Sequence, residues 1–183
     1  MSSAQPRFTY EDLQQMPEDG RRYELLEGVI VTSPAPKTRH QRIVRHITEL
    51  LIQAENAGYG MVLTALTDVL LNPEEAVLQP DLIFVTTSHQ NIVGEDHVDG
   101  PPDLVVEVLS DATRRRDLGA KLRTYARYGV PFYWVADPDE ECVREYRHDG
   151  EGYGDPVFLR DGVELSCPLF PGTTMEITKV FRR

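Results

Sequence analysis

The stretch Pro102-Asp103-Leu104-Val105-Val106-Glu107-Val108-Leu109-Ser110 places one carboxylate in the middle of an apolar, β-branched run. The run is short, rich in valine and bounded by Pro-Pro and Ser-Asp pairs, which predicts a buried β-strand. An ionised carboxylate inside such a strand costs several kcal/mol unless a cation or a metal neutralises it. Glu107 therefore has a cationic partner, lies at an opening where chemistry takes place, or occupies a half-exposed strand face.

Strand and helix patterns alternate along the rest of the chain. The pattern predicts a short helix capped by Thr9, paired strands at 22–26 and 29–31, a helix from Thr38 to Ala57, strands at 61–71 and 80–85, a loop at 88–100, a helix from Thr113 to Gly129, strands at 130–138 and 142–147, and edge strands beyond. This order predicts an α/β (α+β) fold in which helices flank one central mixed β-sheet, as a single domain spanning 1–183.

Composition narrows the class of protein. The formal net charge of -11 weighs against a simple nucleic-acid binder, although a local basic face can coexist with an acidic remainder. Cys142 and Cys167 have no C-x-x-C spacing, and the five histidines show no zinc spacing. No long apolar run or signal-peptide core is present in the sequence, so we expect a cytoplasmic protein without a membrane partner.

The strand geometry limits which carboxylates can share a metal ion. Asp103 and Glu107 lie on one strand face but roughly 13 Å apart, too far to bind one ion together. Asp81 begins a separate predicted strand that can lie about 4.8 Å from the Glu107 strand. We therefore predict that Asp81 and Glu107 bind the metal, with Asp103 at the start of its strand or supporting the site from further out.

We expect the helix that follows the Glu107 strand to supply a positively charged catalytic side chain. If that helix starts near Thr113 and returns along the sheet, Lys121 lies about 12 Å along it. Glu107 lies about 10 Å back from the strand end, so the two side chains are level. Asp117 and Lys121 are spaced i, i+4 on the helix, which is also typical of a surface ion pair.

An ordered set of motifs covering roughly residues 8 to 180 resembles the Uma2 restriction endonucleases. The motifs are Glu27-Gly28, His40, Pro80-Asp81, the stretch 102–110, Asp117, Lys121, Tyr125, Gly129-Val130 and 133–138. The resemblance implies the PD-(D/E)XK, restriction-endonuclease-like fold. It also implies that the protein hydrolyses phosphodiester bonds of nucleic acid, with DNA as the expected substrate and Mg²⁺ or Mn²⁺ as the cofactor. It implies that Asp81 and Glu107 are the two motif acids. Leu109 occupies the motif's lysine position, and Lys121 replaces that lysine from the helix.

For several residues the sequence supports two interpretations, one functional and one structural. Glu24 and Glu27 can supply a ligand or form strand-edge salt bridges, and His40 can contact the site or be structural. The Arg114-Arg115-Arg116 triplet can bind phosphate or be solvated, Tyr133-Trp134 is expected in the core, and Tyr125 is expected to pack. A homodimer is compatible with cutting two strands.

The sequence is compatible with three functional hypotheses. The first is a metal-dependent endonuclease. The second is a catalytically inactive binding or assembly module of the same fold. The third is an unrelated α/β protein in which Glu107 is only salt-bridged.

Overall fold

The computed structural model describes residues 7–182. The N-terminal segment 1–6, where we expected no signal peptide, lies outside the described residues, as does position 183. In chain order the elements are α1 (Tyr10–Leu13), β1 (Arg22–Leu26), β2 (Val29–Ser33), α2 (Thr38–Asn56), β3 (Gly60–Thr64), β4 (Asp68–Asn72), β5 (Ala76–Leu78), β6 (Leu82–Thr86), a 3₁₀ helix (Thr87–Ile92), β7 (His97–Asp99), β8 (Leu104–Val108), α3 (Arg114–Arg116), a π turn (Asp117–Lys121), α4 (Leu122–Arg127), β9 (Phe132–Asp137), β10 (Cys142–Arg147), β11 (Val157–Leu159), β12 (Glu164–Ser166), β13 (Thr174–Glu176) and α5 (Ile177–Phe181).

A six-stranded mixed sheet forms the centre of the fold, with the strand order β11-β10-β9-β8-β6-β3. The predicted Glu107 strand is β8, which pairs in parallel with β9 and antiparallel with β6. Every residue of β8 is buried, which is typical of a central strand covered on both faces. The mixed α+β class with flanking helices is therefore confirmed.

The two faces of β8 pack against different elements. Leu104, Val106 and Val108 join the apolar face of α2 and the buried side chains of α5 in one core cluster. Side chains of a strand alternate, so Val105, Glu107 and Leu109 point to the opposite face. There, Val105 and Leu109 share a cluster with Tyr125 of α4, and the segment 114–127 covers Glu107.

A second sheet also covers the face that carries Glu107. It has the order β2-β1-β5-β4-β7, and Leu26 of β1 and Leu78 of β5 belong to the same core cluster as Val105. The β1–β2 hairpin closes with Glu27 and Gly28, both at positive φ, between the paired residues Leu26 and Val29. A two-residue turn of this kind confirms the predicted Glu-Gly turn.

Two predicted elements are wrong in detail. The single strand expected at 61–71 is two strands, because β3 pairs with β6 in the central sheet whereas β4 pairs with β5 and β7 in the second sheet. Val, Leu and Thr continue across this break, so composition does not reveal it. The loop expected at 88–100 contains most of the 3₁₀ helix and β7, and the C-terminal region adds α5 to the predicted edge strands.

Nothing within residues 7–182 forms a helix that is both long enough and apolar enough to cross a lipid bilayer.

Gly60 begins β3 at a position with no room for a side chain. A Cβ atom there would collide with the Val85 carbonyl oxygen and the Phe84 ring. We therefore expect Gly60→Ala to lower the free energy of unfolding by about 1–3 kcal/mol, measured by urea denaturation. Gly154→Ala is the control, because a Cβ at the exposed Gly154 meets nothing within 4 Å. Equal stability of the two variants would contradict this packing.

Candidate active site

Asp81 and Glu107 lie side by side on neighbouring strands. Leu82 pairs with Val106 in the antiparallel register of β6 and β8, which brings the preceding residue, Asp81, level with Glu107. The backbone N–H of Val108 donates to Oδ2 of Asp81 at 2.8 Å, which fixes this carboxylate at the strand end. Strands in a sheet are about 4.8 Å apart, so both carboxylates face one small volume, as predicted from the sequence.

Basic groups surround Asp81. Nη2 of Arg22 lies 3.0 Å from its Oδ1, and Nε2 of His40 lies 3.0 Å from its Oδ2. Burial by itself raises the pKa of Asp81, but the hydrogen bond and charge of His40, the charge of Arg22 and the Val108 N–H together lower it to about 2. Asp81 is therefore ionised at neutral pH and available as an anionic ligand.

Glu107 contacts a buried lysine. Nζ of Lys121 lies 2.7 Å from Oε1 of Glu107 and 2.7 Å from Oε1 of Glu24, and the Tyr125 hydroxyl donates to the same Glu107 oxygen at 3.3 Å. Burial raises the pKa of Glu107 to about 8, and the charge of Lys121 offsets only part of this effect because Asp117, Asp81 and Glu24 act in the opposite direction.

Lys121 stays charged despite its burial. Desolvation lowers its pKa, but the carboxylates of Glu107, Glu24 and Asp117 outweigh desolvation and raise the pKa above the ordinary lysine value. The sequence predicts that Lys121 and Glu107 lie at the same level along the helix and the strand, and in the structure the two side chains are in contact.

The π turn brings a further acid to the site. Asp117 begins this turn and Lys121 ends it, with Asp117 Oδ1 and Lys121 Nζ 4.0 Å apart. Asp117 is only 1% exposed, and neither of its carboxylate oxygens has a hydrogen-bond partner among the described residues. Burial raises the pKa of this carboxyl group. π turns are rare and occur frequently at functional sites.

These groups line one cavity that opens to solvent. Its polar lining includes His40, Asp81, Glu107, Asp117 and Lys121, and its mouth lies between the segments 33–37 and 110–113. When Glu24, Asp81, Glu107 and Asp117 are all ionised, Arg22 and Lys121 neutralise two of the four negative charges. The negative charge that remains in this state favours the binding of a divalent cation.

Comparison with known proteins identifies the family and supports the fold. A family model described as "Uma2: Putative restriction endonuclease" matches residues 10–178. The chain belongs to the Uma2 family. A solved structure from Anabaena variabilis, described as "a putative nuclease belonging to DUF820", has a TM-score of 0.79 and 18% sequence identity, covering 95% of this chain and 97% of that chain. At this identity the likeness shows the fold. No curated protein matches the sequence significantly.

Two of the supporting acids predicted for this Uma2-family chain lie away from the site. Asp103 stands at the other end of β8, where its carboxylate accepts from the backbone N–H and hydroxyl of Thr86 and faces His89. It therefore belongs to the start of its strand, the first of its two predicted roles. Glu27 is the exposed turn residue of the β1–β2 hairpin and forms a salt bridge with Arg123 at 3.3 Å. A hairpin turn points this side chain into solvent.

Three residues of this Uma2-family site were missed or undervalued in the sequence. The sequence does not distinguish Glu24 from Glu27, yet Glu24 is completely buried against Lys121. Arg22, which was not singled out, lies two residues before Glu24 and therefore on the same strand face. Tyr125 was expected only to pack, but its hydroxyl contacts Glu107. The signal for Arg22 and Glu24 is a strand that carries opposite charges two residues apart before a buried Leu-Leu pair.

The raised pKa of Glu107 predicts how stability changes with pH. Between about pH 4.5 and 8 the folded protein holds the Glu107 proton while the unfolded chain has lost it, so the contribution of this group to stability falls as pH rises. We expect Glu107→Gln to remove a loss of up to about 1.4 kcal/mol per pH unit in this window. Urea denaturation in EDTA at several pH values measures the slope. Parallel curves for wild type and variant would contradict the assignment.

Proposed function

We propose that this protein is a metal-dependent endonuclease that hydrolyses phosphodiester bonds of nucleic acid, with DNA as the substrate. The observation that carries the proposal is the convergence of Asp81, Glu107 and the Nζ of Lys121 at one solvent-connected cavity. Two acids and one lysine from adjacent elements are the functional groups expected of a PD-(D/E)XK nuclease. Membership of a family described as restriction endonucleases supports the same reaction class.

The residues at the cavity fit a divalent cation. Within residues 7–182 no three His, Cys, Asp or Glu side chains converge into a complete metal cage. Mg²⁺, however, usually takes one or two protein carboxylates and fills its other positions with water and substrate phosphate. Asp81 and Glu107 would hold Mg²⁺ or Mn²⁺, and the unpartnered oxygens of Asp117 add the negative charge that attracts the ion. When bound, such an ion polarises a phosphoryl oxygen and lowers the pKa of water.

The side chains have separate tasks in the proposed reaction. Hydrolysis forms a bond between a water oxygen and phosphorus and breaks the bond to one ester oxygen. The ammonium of Lys121 provides a fixed positive charge beside Glu107, where negative charge develops on the phosphoryl oxygens. Nε2 of His40 donates a hydrogen bond to Asp81, which holds the carboxylate in place.

One observation favours a second candidate, a catalytically inactive binding or assembly module. Lys121 and Arg22 already form ion pairs with Glu107, Glu24 and Asp81 without a metal, so the ion-pair network can serve a purely structural role. The two candidates differ in whether the site carboxylates are needed for cleavage or only for folding.

Cleavage assays distinguish the candidates. We expect wild type to convert supercoiled plasmid DNA to nicked or linear forms in Mg²⁺ or Mn²⁺, and Asp81→Asn, Glu107→Gln and Lys121→Met to lower the rate by at least about 100-fold. Glu164→Gln is the control, because Glu164 of β12 is exposed and does not line the cavity. Circular dichroism verifies that each variant folds. A folded wild type without activity, or folded site variants with full activity, would refute the nuclease assignment.

Metal binding is measured independently by calorimetric titration of Mn²⁺ into the protein. We expect Asp81→Asn to abolish the heat of binding, since Asp81 is the acid that remains ionised throughout the neutral range. Asp103→Asn removes the same charge from the same β6–β8 region but at the far end of β8, and we expect it to bind Mn²⁺ as wild type does. Undiminished Mn²⁺ binding by Asp81→Asn would place the ion elsewhere.

A further inference from the structure

An open groove lies beside the candidate active site. It runs between the β1–β2 hairpin and the helical segment 114–127. One wall is formed by Leu26, Glu27, Val29, Val31 and Thr32, and Glu27 in this wall forms a salt bridge with Arg123 across the groove. The other wall carries Arg115, Arg116, Gly119, Ala120 and Arg123. We call these residues the arginine groove.

The arginine groove borders the active-site cavity. Ala112 lines both, and Ser33 of the cavity follows directly after Thr32 of the groove. A chain lying in the groove would therefore reach the mouth of the cavity that contains Glu107 and Lys121.

Two of the three arginines of the groove, Arg115 and Arg116, lack the carboxylate partner that most arginines of the described residues have. Among the arginines at positions 7–182, all form a carboxylate ion pair except Arg42, Arg115 and Arg116. Arg116 donates to the Thr32 carbonyl and the Ser33 hydroxyl, which are neutral, so its charge is not cancelled. Arg115 is exposed and has no hydrogen-bond or ion-pair partner within the described part of the chain.

The arginine triplet predicted from the sequence thus divides into two roles. Arg114 forms a two-pronged pair with Asp137 at 2.7 and 2.8 Å and also contacts Asp139, so it anchors the start of the helix. Arg115 and Arg116 face the groove instead. In a protein with a net charge of -11, two adjacent arginines without acidic partners are a local exception that an anion would complement.

We propose that the arginine groove binds the sugar–phosphate backbone of a nucleic-acid strand and leads that strand into the active-site cavity. This inference rests on the proposed nuclease function. Phosphates pair with the guanidinium groups, which match phosphate oxygens in geometry and charge. The apolar wall suits sugars, since Val29 is 43% exposed although most valines of the chain are buried. An acidic peptide would satisfy the arginines but would make no use of the path into the cavity.

Binding is tested separately from cleavage by fluorescence anisotropy of labelled single-stranded and duplex DNA in EDTA, over a range of salt concentrations. Each phosphate contact contributes about 0.7–0.9 to the slope of log K against log salt, so Arg115→Ala should lower the slope by about that amount. We expect Arg115→Glu to weaken binding about tenfold at low salt. Val29→Glu, which places a carboxylate on the facing wall, should weaken binding in the same direction.

Lys179→Glu is the matched control. It makes the same change of charge at an exposed residue of α5, which packs on the opposite face of the central sheet, and we expect it to bind like wild type. The proposal that the groove binds nucleic acid would be overturned if wild type binds no DNA, or if the Arg115 and Val29 variants bind DNA as well as Lys179→Glu does. Polyglutamate that competes as strongly as DNA would overturn the choice of occupant. Arg115-dependent binding without cleavage in Mg²⁺ would leave the groove standing and refute the nuclease function alone.

Discussion

The ion pairs made by Lys121 are the constraint on which this structure depends. Lys121 and Glu107 are each only 3% exposed in their side chains, so the buried ammonium depends on the carboxyl groups of Glu107 and Glu24 that contact it. Their 2.7 Å contact links the helical segment 114–127 to β8 of the central sheet, and the equal contact with Glu24 links both to β1 of the second sheet. One ammonium group therefore joins three elements that are far apart in sequence.

This arrangement explains why the lysine comes from the helix. Glu107 and Leu109 point to the same side of β8, and Leu109 is buried in the apolar cluster with Tyr125. A lysine at position 109 would have to bury its charge in that cluster. From the π turn, Lys121 reaches the same carboxylate while Leu118 and Leu122 pack against the cluster beside it. The helix therefore supplies the charge without disturbing the apolar contacts of the sheet.

Much of this could be predicted from the sequence, because it depends on regular geometry. The rise per residue of a strand and a helix is fixed, so the level of Lys121 against Glu107 and the pairing of Asp81 with Glu107 follow once the elements are assigned. The predictions that were wrong concern features that depend on tertiary packing. Glu24 and Glu27 are three residues apart in the same hairpin, and only the turn at positive φ and the packing of the second sheet decide that Glu24 is buried and Glu27 exposed. The division of residues 61–71 between two sheets likewise depends on pairing with other strands, β6 in the central sheet and β5 in the second sheet.

The charge distribution shows why net charge is a poor guide to function in this chain. The surplus of acids weighs against nucleic-acid binding when averaged over the molecule, yet it is distributed unevenly. Acids neutralise most of the arginines elsewhere, as Asp137 does for Arg114 and Arg144. Other acids, namely Asp81, Glu107 and Asp117, gather inside the cavity, where a divalent cation would offset them, and no acid among the described residues neutralises Arg115 or Arg116 beside it. An acidic interior beside a basic groove is the field expected of a site that attracts a phosphate backbone together with a metal ion, because each partner neutralises the charge that the protein leaves open to it.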